Sequence, residues 1–296
     1  MSIKHIIEYF LMRALMLFVR NLPKKGVYRL FSSISVFGYL FLPKRRKITL
    51  QNLQLAFPEK QEKERRRIAK ASYKNLGHSF AFNLLIQTDR ITNEELVSCV
   101  SLEDQNAFLD AVKPGTLFIT AHIGNWELLP QYIALKQPTP LHVIAREASN
   151  PLIEKHLISP LRTRFGFNVF YKKNAVFHLL RALKRGEHAG ILIDQKLNDR
   201  IHVEAPFFGI PSRCTPVPAL LQIRHNIRIQ PVFMVHKQCG KFSFLIGKPI
   251  EYSNTSISEE EQVKELTAQH QAALEEIIRT YPEQWFWMHN RWSMKI

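Results

Sequence analysis

Short apolar runs alternate with stretches of helical periodicity from residue 115 onward, and this alternation limits the possible folds more than any other feature. The runs are TLFITA at 116–121, LHVIA at 141–145, NVFY at 168–171, GILID at 190–194 and IQPVFMV at 229–235. Helical stretches separate most of them, at 126–136, 150–165, 174–186 and 215–226, and another follows at 258–280. Short, continuously apolar strands between helices are typical of parallel sheets. The sequence therefore predicts an α/β fold with a mixed, largely parallel sheet flanked by helices.

The N-terminal residues carry a different pattern. Residues 1–20 combine apolar positions at helical spacing with interspersed charges, and 30–43 contain no charge before the basic run KRRK at 44–47. Neither segment provides the roughly 20 mainly apolar residues that a spanning helix needs, and no secretory cleavage site follows. Basic flanks favour anionic headgroups on the cytoplasmic face. We expect a membrane-associated helical anchor over 1–47 and an α/β domain over 48–296, the alternative being two amphipathic helices packed on a soluble core.

The charge balance restricts the possible partners. Lysine and arginine number 41 against 25 aspartate and glutamate, which gives a net charge of +16. This excess favours nucleic acid, anionic lipid, a phosphorylated substrate or an acidic carrier protein. Nucleic acid is not expected, because the sequence carries no base-reading motif and the aromatic tail at 281–292 is better explained by packing on the sheet or at a membrane interface. The three cysteines form no CxxC pair, which fits a reducing compartment rather than a disulfide framework or a zinc site.

Polar side chains follow several of the predicted strands. His122 follows the first run, Arg146 the second, and Asp194 and Gln195 stand at the end of the fourth. Because the carboxyl ends of parallel strands share one edge of the sheet, these residues are candidates for a single site. The GxSxG, HExxH and P-loop motifs do not occur, so a serine elbow, zinc hydrolysis and Walker-type phosphoryl transfer lose support.

The segment HIGNWE at 122–127 has two interpretations. His122 and Glu127 fit a general base and its orienting acid, which would activate a substrate hydroxyl for direct attack on an acyl donor, without an acyl-enzyme. The structural alternative is a strand-to-helix turn in which Asn125 caps the helix and Glu127 favours its positive end.

HIGNWE also resembles the HX4(D/E) signature of lysophospholipid-type acyltransferases. Its surroundings resemble the late acyltransferases of lipid A biosynthesis, the lauroyl/myristoyl transferase family. The supporting segments, in family order, are NLQLAFPEK at 52–60, AREASNP at 145–151, RFGF at 164–167, ILIDQK at 191–196, APFFG at 205–209 and YPEQWFWMHNRW at 281–292. The resemblance implies transfer of a fatty acyl group from acyl carrier protein to the 3-hydroxyl of a hydroxyacyl chain on a lipid A precursor. It implies no cofactor or metal, and an enzyme anchored by its N-terminus to the inner membrane, among anionic lipids, with its catalytic domain on the cytoplasmic side.

The resemblance further implies roles for individual residues. His122 would be the base, while Glu127 would orient it and stabilise its protonated form. The predicted substrate-binding residues are Arg146, Asn150, Arg164, Asp194 and Gln195. Of these, the two arginines would contact phosphate or sugar, and the aspartate would position the acceptor or a basic side chain.

Two alternatives to this function remain open from the sequence. The first is an acyltransferase for another anionic glycolipid, such as a phosphatidylinositol mannoside. The second is a non-catalytic, basic protein of the membrane surface, in which His122 and Glu127 only shape a turn.

Overall fold

The computed structural model describes residues 2–145, 147–171, 174–197, 201–253 and 256–293. Its helices are α1 (Ile3–Asn21), α2 (Lys24–Phe41), α3 (Pro43–Ala56), α4 (Glu62–Gln87), α5 (Asn93–Ser98), α6 (Gln105–Ala111), α7 (Leu128–Lys136), α8 (Pro151–Ile153), α9 (Ser159–Arg164), α10 (Ala175–Lys184), α11 (Val217–His225) and α12 (Glu259–Thr280), with a π-helix at Glu154–Ile158 and a 3₁₀-helix at Pro282–Gln284. Its strands are β1 (Val100–Leu102), β2 (Leu117–Thr120), β3 (Leu141–Ala145), β4 (Asn168–Tyr171), β5 (His188–Leu192), β6 (Val203–Phe207), β7 (Ile210–Cys214), β8 (Ile229–Gln238) and β9 (Lys241–Ile246).

The main sheet has the strand order β1-β9-β8-β2-β5-β3-β4. Neighbouring strands are parallel throughout, except that β8 and β9 are antiparallel. Strands β6 and β7 form a separate antiparallel hairpin. The prediction of a mixed, largely parallel sheet flanked by helices is therefore confirmed.

Strand β2 lies at the centre of the sheet, and its first three side chains are apolar and buried on both faces. Leu117 and Ile119 pack into one buried cluster, and Phe118 packs into a second cluster on the opposite face. Helices α10 and α12 contribute to the first cluster, α6 and α7 to the second, and α4 to both. Ligands of such sheets bind beyond the carboxyl ends of the strands, and for β2 that is where His122 lies.

Several elements differ from the sequence-based expectation. Strand β5 ends at Leu192, so Asp194 lies beyond the strand rather than at its last position. The helix expected over 150–165 is divided into α8, the π-helix and α9. Pro160 has no backbone N–H to continue an α-helical ladder, and the wider turns of the π-helix end just before it. Strands β1, β6, β7 and β9 were not anticipated.

The N-terminal helices are joined to the core and also expose apolar surface. Val27 of α2 and Phe82 of α4 belong to the same buried cluster, while Phe10 and Phe37 are exposed on α1 and α2. Among the helices of the described ranges, none is both long and apolar enough to cross a membrane. The predicted division after residue 47 falls inside α3, and so does not coincide with the end of a helix.

Candidate active site

The turn that follows β2 carries His122 and is fixed by close backbone contacts. Gly124 adopts a left-handed conformation with a φ of +57°, and a Cβ atom there would lie 2.0 Å from the carbonyl oxygen of Met234. Only glycine permits both the conformation and the approach. The Gly124 amide donates to the Gln284 carbonyl at 3.0 Å, and the Asn125 amide donates to the Met234 carbonyl at 2.9 Å. The turn is therefore held against β8 and the C-terminal segment, which sets the position of His122.

Asp194 orients the imidazole of His122. The Nδ1 atom of His122 lies 2.8 Å from Oδ1 of Asp194, and the His122 backbone amide donates to Oδ2 at 3.0 Å. The indole N–H of Trp285 donates to the same Oδ2 at 2.8 Å. Because Oδ2 already accepts two N–H donors, Oδ1 is left to accept the proton on Nδ1. This tautomer places a lone pair on Nε2, the nitrogen that can then take up a proton.

Burial and charge set the protonation of this pair. The side chain of Asp194 is 1% exposed, whereas that of His122 is 20% exposed. Burial lowers the pKa of His122, but the carboxylate of Asp194, with a smaller contribution from Glu127, raises this pKa above its ordinary value. Burial raises the pKa of Asp194, but His122 and the N–H of Trp285 hold it below its ordinary value. Asp194 is thus ionised at neutral pH and strengthens His122 as a base.

Gln195 occupies the other side of the imidazole. Its side-chain nitrogen lies 3.3 Å from Nε2 of His122 and, in the tautomer set by Asp194, donates to the lone pair of that atom. A group that gives a proton to His122 has to approach the same lone pair, so it would take the place of the Gln195 amide.

Glu127 is not the acid that orients the ring, in contrast to the expectation from the motif. Its carboxylate accepts the indole N–H of Trp126 at 3.2 Å, and Trp126 packs edge-on against His122 with ring centroids 5.1 Å apart. Glu127 acts on His122 through its charge, by raising the pKa. The motif interpretation placed Glu127 one turn into a helix, but α7 begins only at Leu128 and Glu127 precedes it. Asn125 is not the helix cap either, because Glu127 holds the N-cap position of α7 and no side chain caps that helix.

An apolar pocket lies next to the pair. Its apolar lining comes from β2, β3, β5, α7 and the segment before β4, and includes Phe118, Ile133, Val143, Phe167, Ile191 and Leu192. Trp126 and Glu127 also line it, and Trp126 contacts His122. The end of the pocket formed by Trp126 is therefore next to the base.

Two of the predicted substrate-binding side chains make contacts within the protein. Asn150 caps α8 through its side-chain oxygen, and its amide nitrogen donates to the His5 carbonyl at 2.8 Å on α1. Arg164 donates to Asp89 at 2.6 Å and to the Ile86 carbonyl at 3.1 Å, at the end of α4. The predicted role of Asn150 in substrate binding, and the predicted contact of Arg164 with phosphate or sugar, stay predictions. A third predicted residue, Arg146, lies outside the described residues.

Sequence reasoning missed three residues of the site. Trp285 was seen only as part of an aromatic tail, although its burial (2% exposed) agrees with the expectation that this tail packs on the sheet. Thr120 and Arg162 line the pocket, and Arg162 is paired with Glu154 at 3.0 Å. The sequence carried a signal for Thr120, which is a polar residue at the end of an apolar strand, two residues before His122.

The site offers proton transfer next to an apolar cavity. His122 supplies the acceptor atom, Asp194 supplies its orientation and charge, and the pocket accommodates an apolar group. Among the residues that the structure describes, no group of three or more histidine, cysteine, aspartate or glutamate side chains is arranged to hold a metal ion.

An acyltransferase is compatible with this α/β fold and with a histidine and a carboxylate beside an apolar pocket, and the sequence relationships show that class. Residues 1–294 match the family described as bacterial lipid A biosynthesis acyltransferase, and the chain belongs to this family. It is similar to the lipid A biosynthesis lauroyltransferase of Escherichia coli strain K12, with 26% identity over 287 residues, 94% of this chain and 88% of that protein. It is also similar to the lipid A biosynthesis acyltransferase of Haemophilus influenzae, with 23% identity over 270 residues, 88% of this chain and 82% of the relative.

Proposed function

We propose that this protein transfers a fatty acyl group from acyl carrier protein to the hydroxyl of a 3-hydroxyacyl chain on a lipid A precursor. The observation that carries the proposal is the His122–Asp194 pair next to the apolar pocket. The relatives, named as a lauroyltransferase and an acyltransferase of lipid A biosynthesis, support the acyl group and the acceptor.

His122 acts as the general base of the transfer. The acceptor hydroxyl displaces Gln195 from Nε2 of His122 and gives its proton to that atom as its oxygen attacks the thioester carbonyl carbon. The positive charge that forms on the imidazole is stabilised by Asp194 at 2.8 Å. When the tetrahedral intermediate collapses, the C–S bond breaks and the leaving thiolate takes the proton from Nε2. The products are an ester and the carrier thiol, with no acyl-enzyme on the path.

The fatty chain lies in the apolar pocket during this step. Burial of each CH₂ group stabilises the bound chain by about 0.8 kcal/mol, so the pocket selects long chains over short ones. Gly190 lines the pocket without contributing a side chain, and so leaves room beside Val143. Because Trp126 brings one end of the pocket against His122, a chain inserted from that end leaves its thioester next to the base.

The charge of the protein suits an acidic donor and a phosphorylated acceptor. The net charge of +16 attracts both an acidic carrier protein and lipid phosphates and speeds their encounter. The KRRK run at 44–47 forms the first turn of α3, which contains no acidic residue. Cations at the positive end of a helix are unfavourable, and anionic headgroups beside them relieve that cost.

Helices α1 and α2 attach the protein to the cytoplasmic face of the inner membrane without crossing it. Both combine buried positions with large exposed apolar side chains, and the basic turn of α3 follows the exposed end of α2. The exposed side chains are Ile3, Ile7, Phe10, Leu11, Leu17 and Phe18 on α1 and Ile34, Phe37, Leu40 and Phe41 on α2. Such a surface inserts into the boundary between headgroups and acyl chains and attracts anionic lipid.

A reconstituted transfer reaction tests the proposal. Purified protein in detergent receives acyl carrier protein charged with a labelled acyl group and a lipid A precursor, and mass spectrometry follows the gain of one ester. His122→Asn is expected to lower the rate by about 10²- to 10⁴-fold. The matched control is His142→Asn. His142 also pairs with a carboxylate, that of Glu187 at 2.7 Å, but this pair lies at the amino ends of β3 and β5, whereas His122 lies beyond the carboxyl end of β2. Transfer from acyl-coenzyme A alone, or to a phosphatidylinositol mannoside alone, would contradict the proposed donor or acceptor.

A further inference from the structure

One buried polar side-chain atom of a residue that lines the apolar pocket has no hydrogen-bond partner in the described ranges. Thr120 is the last residue of β2, lines the pocket, and is only 6% exposed. Its hydroxyl oxygen makes no hydrogen bond with any residue in the described ranges. Buried hydroxyl groups are nearly always paired, because an unpaired one has lost water without gaining a protein partner. The unpaired hydroxyl of Thr120 therefore points to a polar group of a ligand.

The strand register places Thr120 in the layer of the pocket nearest the base. Thr120 pairs with Leu192 and Phe118 pairs with Gly190 across β2 and β5, and all four residues line the pocket. Side chains two residues apart on a strand share one face, so Phe118 and Gly190 form the deeper layer. Thr120 and Leu192 form the outer layer, towards the carboxyl ends of the strands and His122.

We propose that the hydroxyl of Thr120 donates a hydrogen bond to the carbonyl oxygen of the bound acyl thioester, which makes Thr120 a further catalytic residue. The inference rests on the proposed function, because it requires a fatty acyl donor in this pocket. Such a donor is apolar along its chain and carries one carbonyl oxygen next to the sulfur. With the chain in the deeper layer, that oxygen lies in the outer layer, beside Thr120.

The hydrogen bond strengthens as the reaction proceeds. The acceptor oxygen forms a bond to the carbonyl carbon while its proton passes to Nε2 of His122, and the π-electron pair of the carbonyl moves onto its oxygen. A donor already aimed at this oxygen stabilises the negative charge more than it stabilised the carbonyl. When the carbonyl re-forms, the C–S bond breaks and the thiolate takes the proton from His122. Thr120 keeps its own proton throughout.

Substitutions that remove or keep the hydroxyl test the inference. Thr120→Val preserves the shape of the side chain, Thr120→Ala gives a smaller variant in case valine disturbs the strand, and Thr120→Ser keeps the hydroxyl. We expect the valine and alanine variants to lower kcat by about 10²-fold, with little change in KM for the acyl carrier protein donor. The serine variant should stay within a few-fold of the wild type. The matched control is Thr267→Val on α12, which removes another buried hydroxyl without a partner in the described ranges.

A non-reactive donor separates catalysis from packing. An acyl carrier protein with an alkyl chain in thioether linkage has no carbonyl, so its inhibition constant should be the same for the wild type and Thr120→Val. The inference is overturned if Thr120→Val and Thr120→Ala retain the wild-type kcat, if the serine variant is as slow as valine, or if the thioether analogue loses affinity in parallel with kcat. A wild-type protein that transfers no acyl group refutes the proposed function itself, and the role of Thr120 with it. An active wild type with unimpaired Thr120 variants refutes only that role.

Discussion

Replacing Asp194 with asparagine removes one charge, changes the volume very little, and reverses the hydrogen bonding at the base. Oδ2 of Asp194 accepts the backbone N–H of His122 and the indole N–H of Trp285, so an asparagine must place its only oxygen there. Its NH₂ group then faces Nδ1 of His122. The imidazole can accept that hydrogen bond only as the tautomer with the proton on Nε2, which is the atom that must take the proton from the acceptor.

The expected loss in rate follows from charge and from the tautomer. With ~4 Å between the charge centres and an effective dielectric constant of about 20, Asp194 stabilises the imidazolium by about 4 kcal/mol. Because each 1.4 kcal/mol corresponds to a factor of ten, Asp194→Asn lowers kcat by about 10³-fold. The wrong tautomer adds to this loss, and the same substitution in a serine protease triad costs about 10⁴-fold. We expect a decrease of about 10³- to 10⁴-fold.

The assay is the initial rate of ester formation from a labelled acyl carrier protein donor, measured over pH and accompanied by a thermal melt. The matched control is Asp89→Asn, because Asp89 is a 74% exposed carboxylate that pairs with Arg164 away from the base. It should react at the wild-type rate. A folded Asp194→Asn protein that keeps its rate within tenfold of the wild type would refute the assignment of Asp194 as the orienting acid.

Three further predictions follow, one of them with a control variant. Glu127→Gln removes a charge that raises the pKa of His122, so the acidic limb of the pH profile of kcat/KM should move to lower pH. A profile that stays in place would exclude this coupling. Gly124→Ala should lower the free energy of unfolding by about 2–5 kcal/mol in chemical denaturation, since it adds a clash to a left-handed residue. Gly209→Ala, also left-handed but with nothing within 4 Å of the added carbon, should cost only about 1–2 kcal/mol. Gly190→Ile should shift the preferred donor to shorter chains in a mass-resolved competition between acyl lengths, and an unchanged preference would place the chain elsewhere.

The sequence predicted the elements whose signal is local. The runs at 141–145 and 168–171 coincide with β3 and β4, because a short, continuously apolar segment between helices has few other stable arrangements. The start of α12 was also predicted, because Ser258 and the acidic residues after it are typical of a helix N-terminus, and the structure has a capping box there. Its end at Thr280 agrees with the predicted range as well. Strands β1 and β9 escaped prediction because their place at one side of the sheet depends on pairing with each other and with β8.

The sequence predicted which residues belong to the site better than it predicted which of them form hydrogen bonds with one another. His122, Asp194 and Gln195 do come together, as expected of residues that follow neighbouring parallel strands. Glu127 was predicted to orient His122 because the two residues are close in sequence. The hydrogen bond to the ring comes from Asp194, which is 72 positions away. Trp285 lies 91 positions from Asp194, and nothing in the spacing of the chain could indicate that contact. A shift of one residue at the end of a strand or turn changes which side chains meet, and the sequence does not define those ends so precisely.

The two carboxylates near His122 have environments that suit different tasks. Asp194 is buried and accepts three N–H groups from two residues, so its position and its charge are fixed before any substrate arrives. Glu127 contacts Trp126 and lines the pocket, so its surroundings change when an apolar chain replaces water there. Electrostatic interactions strengthen as water is excluded, so in the proposed reaction the effect of Glu127 on the pKa of His122 grows when the acyl donor enters the pocket. Under that proposal an acid on the pocket wall couples donor binding to the strength of the base, whereas the surroundings of the buried Asp194 do not change.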